Sequence, residues 1–185
     1  TIEVASCTYT GDALEPTVTV KDDIGNIIDQ KEYEIFYSNN TNAGIATVTI
    51  KDVEGGNYVL SGASKTFEIT KAAAPTMQPI ELTVINGLAK TYLVNLPALP
   101  TLGDNCKYGS IKYEACNFDL IGEGGYANST AMITSNDEFQ LTVPAVESQT
   151  EGSVGTVGVK ITTDNYQDML LTVEVIAKNK IVPVL

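Results

Sequence analysis

Pairs of carboxylates are the first residues here that could do chemistry. Two acids flanking a glycosidic bond can cleave it, one donating a proton while the other attacks or activates water. The candidates are Asp119 with Glu123 and Asp137 with Glu138. Both pairs lie in glycine- and asparagine-rich stretches, where solvated turn carboxylates are expected. No histidine occurs in the 185 residues, so Ser-His-Asp and Cys-His nucleophiles are missing, as is the commonest general base and metal ligand. The reading is of a chain that is not an enzyme, with no catalytic residues.

Hard cations want six to eight oxygen ligands. Asp22-Asp23, Asp119 and the Asp164-Asn165 turn with Asp168 offer some of these, but without the graded spacing of a loop site. Asx-turns account for the same residues, so neither a metal nor any other cofactor is predicted. Of the three cysteines, Cys106 and Cys116 stand ten residues apart. They could close a loop contributing about 3 kcal/mol by chain entropy. The alternative is that all three thiols are reduced, small and partly buried.

Binding chemistry concentrates between Gly103 and Asn128, where Tyr108, Tyr113, Phe118 and Tyr126 interleave with Asn105, Asn117, Gly124 and Gly125. Loop aromatics stack on sugar rings or anchor a protein partner. In the competing reading Tyr113 and Phe118 are core and Tyr126 closes a turn. The missing tryptophan weakens the sugar reading.

The elements that would hold these residues are strands. Alternation with period two recurs along the chain, and no segment keeps a helical period for three turns. In Ala46-Thr47-Val48-Thr49-Ile50 the threonines face out and the apolar residues face in, as in a half-buried antiparallel strand. Thr17–Val20, Tyr33–Ser38 and Lys65–Thr70 repeat the scheme, separated by the turn clusters 22–26, 39–44 and 55–57. After Lys71-Ala72-Ala73-Ala74-Pro75, a short linker, strands resume at 80–85, 90–96, 108–115, 129–134, 138–143, 155–163 and 168–177. The last is apolar on both faces in places. The expected architecture is all-β, with two consecutive immunoglobulin-like β-sandwich domains over residues 1–72 and 73–185 and the start of a further linker at 181–185.

Composition narrows the partners. Acidic residues number 23 against 11 basic ones, for a formal net charge of −12, and every basic residue is lysine. The charge is evenly divided on either side of Ala72. Phosphate neutralisation needs a cationic surface, and arginine forks do most bidentate recognition, so no nucleic acid partner is expected. The acidity suits solubility and mutual repulsion of copies. No apolar run is long enough to span a bilayer, so no membrane insertion of this fragment is expected. The chain opens inside the strand Ile2-Glu3-Val4 and stops on Ile181–Leu185, and reads as a fragment whose targeting signals lie elsewhere.

The first module resembles the tandem immunoglobulin-like repeats of secreted and wall-attached proteins from Gram-positive gut bacteria, especially clostridia. The matching residues are Tyr9-Thr10-Gly11, Leu14–Val20, Tyr33 with Tyr37–Gly44, Ala46–Ile50, Gly56-Asn57-Tyr58 and Phe67–Ala72. The stretch from Asp52 to Ser61 departs from the pattern. In the second module, Val84–Tyr92 and Val94–Leu99 look similar to another sandwich repeat of such proteins. The resemblance implies extracellular display, secreted or attached to the cell wall, as a spacer or adhesion segment beside neighbouring domains of the same polypeptide. The alternative is a carbohydrate- or protein-binding module, accessory to a secreted hydrolase or holding a host or cell-wall glycan. Lysine–asparagine isopeptide bonds also occur in such sandwiches. Lys65 and Lys90 share strand parity with inward residues, although snorkelling at a strand start accounts for both.

Overall fold

The computed structural model describes residues 1–60, 62–121, 125–148 and 150–181. The chain forms two compact units. Unit one comprises Thr1–Ala73, Leu102–Ser110 and Thr163–Gln167; unit two comprises Ala74–Thr101, Ile111–Thr162 and Asp168–Leu185.

Unit one is built from β1 (Ile2–Val4), β2 (Cys7–Thr8), β3 (Val18–Val20), β4 (Tyr33–Ser38), β5 (Gly44–Asp52) and β6 (Ala63–Thr70). One sheet pairs β1 with β3, antiparallel, and the other runs β2-β6-β5-β4. β2 lies parallel to β6, so the chain changes sheets between Val4 and Cys7. The threonine–valine alternation of β5 behaves as expected, with Ala46, Val48 and Ile50 fully buried. Together with Val18, Val20, Ile28 and Tyr33, Val48 and Ile50 make one core cluster. A second gathers Tyr9, Ala46, Phe67, Ile69 and Tyr166.

Unit two contains β7 (Ile80–Ile85), β8 (Lys90–Asn95), β9 (Ile111–Leu120), β10 (Thr130–Ile133), β11 (Glu138–Val143), β12 (Gly152–Thr163) and β13 (Met169–Lys178). Its sheets run β10-β11-β8 and β7-β13-β12-β9. Here the first strand, β7, pairs parallel with the last, β13, Ile80 opposite Val173, as β2 does with β6 in unit one. In each unit two sheets face one another, and one of them joins an early strand, β2 or β7, in parallel to the last, β6 or β13. Each unit is an immunoglobulin-like β-sandwich. β13 sits between β7 and β12 and buries Met169, Leu171, Val173, Val175 and Ala177, while Leu170 on its other face stays half exposed. The largest boundary differences from the sequence reading are at β9 and at the start of β12, which begins at Gly152 rather than 155. The strand expected from Tyr108 begins at Ile111, because Tyr108 belongs to a loop, and it continues through Asn117 and Asp119 to Leu120.

Candidate functional site

The densest polar and aromatic constellation lies in unit one, where three stretches of chain meet. Tyr166 packs edge-on to Tyr9, with centroids 5.7 Å apart at 78°, and tilted against Tyr108 at 5.2 Å. The Tyr9 hydroxyl donates to the Lys107 carbonyl and accepts from the Lys107 N–H at 2.8 Å. The Cys106 thiol donates to the Thr10 carbonyl at 3.2 Å, and Asn105 Nδ2 donates to Asp12 Oδ1 at 2.9 Å. Backbone contact is tight enough at Gly11, φ +92°, to place an added Cβ 2.8 Å from the Asn105 carbonyl carbon.

Asn165 is the polar hub of this cluster and is 1% exposed. Its amide nitrogen donates to Asn42 Oδ1 at 3.2 Å and to the Lys107 carbonyl at 3.0 Å. Its amide oxygen accepts from Ala43 N–H at 2.9 Å. Its backbone carbonyl accepts from Ala72 N–H at 2.9 Å, and its backbone N–H donates to the Tyr108 carbonyl at 3.2 Å. Such a fully satisfied buried amide fixes a unique packing. Burial is the leading cause that raises the Tyr166 phenol to about 12, reinforced by a hydrogen bond with Cys106. Burial also raises Tyr108.

Of the four aromatics nominated for binding, Tyr108 belongs to unit one and Tyr113, Phe118 and Tyr126 to unit two. Tyr126 is a correction. It is 1% exposed and its hydroxyl donates to Asn86 Oδ1. The Asn86 amide nitrogen in turn donates to the Thr150 carbonyl and Asn179 Oδ1. A ring locked this way is core, because a buried phenol needs a partner. Tyr113 is half-buried, and burial followed by the Asp137 carboxylate raises its phenol. Phe118 is 51% exposed on β9, so it is the nominated ring most open to a ligand and is not core.

The cysteine pair is a second correction. Cys7, Cys106 and Cys116 are all free thiols; Cys106 bonds to Thr10, whereas Cys116 Sγ lies beside Gly158 in unit two.

The acids serve the backbone. Asp22 Oδ1 accepts from the N–H groups of Ile24 and Asn26 at 3.1 and 2.8 Å, an Asx-turn. Desolvation pushes the Asp22 carboxyl up, but the Asn26 and backbone hydrogen bonds outweigh it and hold the carboxyl below its ordinary value. Asp164 Oδ2 accepts from Ser110 N–H at 2.7 Å, and Asp168 pairs with Lys160 at 2.9 Å. Asp119 is a strand residue of β9, not a turn residue, while Glu123 and Gly124 lie outside the described residues, as do Ser61 and residues 182–185. Asp137 occupies a turn at φ +57°, and Glu138 opens β11 opposite Asn95. Among the described residues no group of three His, Cys, Asp or Glu is arranged to hold a metal. Lys65 and Lys90 are exposed, Lys90 lying 5.2 Å over the Tyr92 ring, so neither points into a core as an isopeptide would require.

Sequence reasoning missed Glu32 altogether. Its buried carboxylate accepts from Asn57 N–H at 2.8 Å and from Asn57 Nδ2 at 3.1 and 3.2 Å, tying the 53–57 turn to the start of β4.

No protein-family model matches the chain, and no curated protein matches it. Among solved structures it is similar to an I-band fragment of titin, at 11% identity and TM-score 0.38, over 97% of this chain and 64% of that one. A second likeness is to an endo-fucoidan hydrolase of glycoside hydrolase family 107, at 13% identity and TM-score 0.36, over 96% of this chain and 28% of the hydrolase. A third is to three N-terminal domains of the highly immunogenic outer capsid protein of bacteriophage RB49, at 14% identity and TM-score 0.36, over 99% of this chain and 70% of that one. The chain thus spans less than two thirds of the titin and hydrolase chains. The immunoglobulin-like assignment rests on the strand pairing described above, since likenesses this weak add nothing to it. Among the described residues no helix is long and apolar enough to cross a membrane.

Proposed function

We propose that this chain is a non-catalytic extracellular spacer or adhesion module of a bacterial cell-surface or secreted protein, of the kind displayed by Gram-positive gut bacteria. The observation that carries the reading is where the chemically capable side chains are spent. Tyr9, Tyr108 and Tyr166 pack on one another, Tyr126 holds Asn86, and Asn165 and Asp22 close turns. Side chains committed to positioning backbone are those of a scaffold. The resemblance of residues 9–72 to wall-attached repeats supports the extracellular setting, with neighbouring domains of the same polypeptide as the first partners.

A second reading, a glycan- or protein-binding module, is favoured by one feature, the half-exposed Phe118 ring on β9. A glycan array and a cell-wall pull-down with the purified chain separate the two. Saturable binding lost in Phe118→Ala supports a binding module, and silence supports the spacer. Surface labelling of the native protein on intact cells tests the setting, and a protein protected from a membrane-impermeant reagent until lysis would overturn it.

A further inference from the structure

Sheet order equates β4, β5 and β6 of unit one with β9, β12 and β13 of unit two. The connections differ. In unit two the chain passes from β9 to β12 through β10 and β11, and β10 packs against β9. In unit one residues 39–43 join β4 straight to β5, so no such hairpin covers β4. An open cleft of about 610 Å³ lies there, lined by Ile35, Phe36 and Tyr37 of β4 and by Glu15, Pro16 and Val18.

The outer edge of β4 brings hydrogen-bonding groups to this cleft. The Val53 N–H donates to the Glu32 carbonyl, one step beyond the Tyr33–Asp52 pair. Alternate residues of an antiparallel strand bond to the same neighbour, so Glu34, Phe36 and Ser38 face β5 while Tyr33, Ile35 and Tyr37 turn their backbone groups the other way. Tyr33 agrees, its N–H donating to the Gln30 carbonyl. Among the described residues no backbone group pairs with Ile35 or Tyr37 on that side.

Exposed edges are commonly guarded by a lysine, a proline or a bulge that keeps other strands away. β4 reads Tyr-Glu-Ile-Phe-Tyr-Ser and pairs with β5 in unbroken register. It has none of the three guards, and Phe36 is left 43% exposed. The charge around it is one-sided. Glu15 lines the cleft and Glu34 lies on β4, and among the described residues neither forms an ion pair. Lys51, opposite Glu34 in the register, lies over the Phe36 ring instead. Burial first, and then the Glu15 carboxylate, raise the Tyr37 phenol.

We propose that the cleft takes one extended, lysine- or arginine-bearing segment of another protein, which adds to β4 as the next strand of its sheet. The segment's backbone exchanges hydrogen bonds with Ile35 and Tyr37. Residues directly opposite one another on paired strands share a face, so those opposite Ile35 and Tyr37 enter the cleft and are apolar. The residues alternating with them carry the positive charge toward Glu34 and Glu15. The six residues of β4 span roughly 20 Å, which a segment of the same length matches. A second copy of this chain is a poor occupant, because each carries −12. The inference stands on unit one alone and holds whether or not the chain is displayed outside a cell.

The probe is a capped peptide, Lys-Val-Lys-Val-Lys-Val, titrated to about 1 mM against amide NMR spectra of the intact chain. Saturable shifts should centre on Ile35 and Tyr37, and hydrogen exchange at those two amides should slow. The peptide N-methylated at alternate residues, made in both registers, should bind at least about tenfold more weakly in one register, because strand addition uses only one set of N–H groups. Replacing its lysines with glutamates should weaken it by at least about tenfold. Glu15→Gln should weaken the lysine peptide roughly two- to fivefold; Glu15 is exposed, and an unchanged spectrum elsewhere confirms that the variant is folded. No saturable shift up to about 1 mM, shifts centred on other residues, equal binding by both N-methylated registers, equal binding by the glutamate peptide, or full affinity in Glu15→Gln would each overturn the inference.

Discussion

Replacing Tyr166 with alanine removes the ring that joins both aromatic contacts of unit one, and it should be among the most damaging single changes in the chain. Tyr166 is 7% exposed and meets Tyr9 at 5.7 Å and Tyr108 at 5.2 Å. Truncating a large buried aromatic costs about 3–5 kcal/mol, and two aromatic pairs at about 0.5–1.5 kcal/mol each supply roughly 1–3 kcal/mol of that. The Tyr166 hydrogen bonds with Thr163 use its backbone N–H and carbonyl, so they survive and the loss is one of packing. Against a typical domain stability of about 5–15 kcal/mol the change is severe. Urea unfolding followed by near-ultraviolet circular dichroism of the tyrosines should show the midpoint falling by more than about 1 M at a slope of roughly 1–3 kcal/mol per M. Tyr166→Phe keeps the ring and should lose under about 1.5 kcal/mol, the net value of a hydrogen bond. A double-mutant cycle with Tyr9→Ala should give a coupling of about 0.5–1.5 kcal/mol. The same cycle with Tyr33→Ala, in the other core cluster, should give a coupling near zero. A loss below about 1 kcal/mol for Tyr166→Ala, or equal coupling to Tyr33, would refute the packing argument.

Alkaline pH should unfold the protein. The phenols of Tyr33, Tyr37, Tyr108, Tyr113 and Tyr126 are raised, chiefly by burial, and Tyr166 reaches about 12. A raised folded value means the folded state holds the proton more tightly, so stability is intact below the unfolded value of 10.0 and falls as pH rises toward about 12. Phenolate absorbance should rise together with loss of circular dichroism in that window, and independent, fully reversible titration of all nine tyrosines near 10.0 would contradict it. Gly155→Ala should disrupt unit two, because a Cβ there would sit 2.0 Å from the Asp119 carbonyl oxygen at φ +119°. Gly158→Ala should be far milder, since its nearest contact, at 3.0 Å, is the movable Leu170 side chain; comparable melting temperatures for the two would sink the distinction. Glu32→Ala should free Asn57, whose exposed donors then turn to water, at a cost of about 0.5–1.5 kcal/mol per lost hydrogen bond, read as earlier proteolytic cutting in the 53–57 turn, whereas unchanged cutting would mean the carboxylate holds nothing there.

Strands were legible wherever one face is buried and the other wet. Tyr33–Ser38, Ile80–Ile85 and Glu138–Val143 have the same limits in the structure as in the sequence reading, because alternation there runs unbroken from one turn signal to the next. β2 escaped notice for the opposite reason. Two residues carry no period, and Cys7–Thr8 is held by parallel pairing with Ile69 and Thr70, a contact more than sixty residues distant along the chain. The buried amides were equally hidden. Nothing local tells Asn165, first weighed as a calcium ligand, from a solvated turn asparagine; its role comes from Asn42, Ala43 and Lys107.

At β9 the alternation breaks, and the cause is geometric. Tyr113 and Ala115 keep inward parity, which would put Asn117 and Asp119 inside as well. Asn117 instead adopts φ +48°, a left-handed conformation that asparagine tolerates better than most residues. Beyond it the alternation resets, leaving Phe118 half exposed and Leu120 half-buried. On neighbouring β12 the register also shifts between Ser153 and Thr156, where Gly155 brings its backbone against the Asp119 carbonyl. An irregularity on one strand matched by a positive-φ residue on the next is how sheets re-aim a side chain. Phe118 thus faces solvent with the parity that Tyr113 and Ala115 set, whereas Asn117 and Asp119, which that parity puts inside, are exposed because two strands break step at neighbouring places.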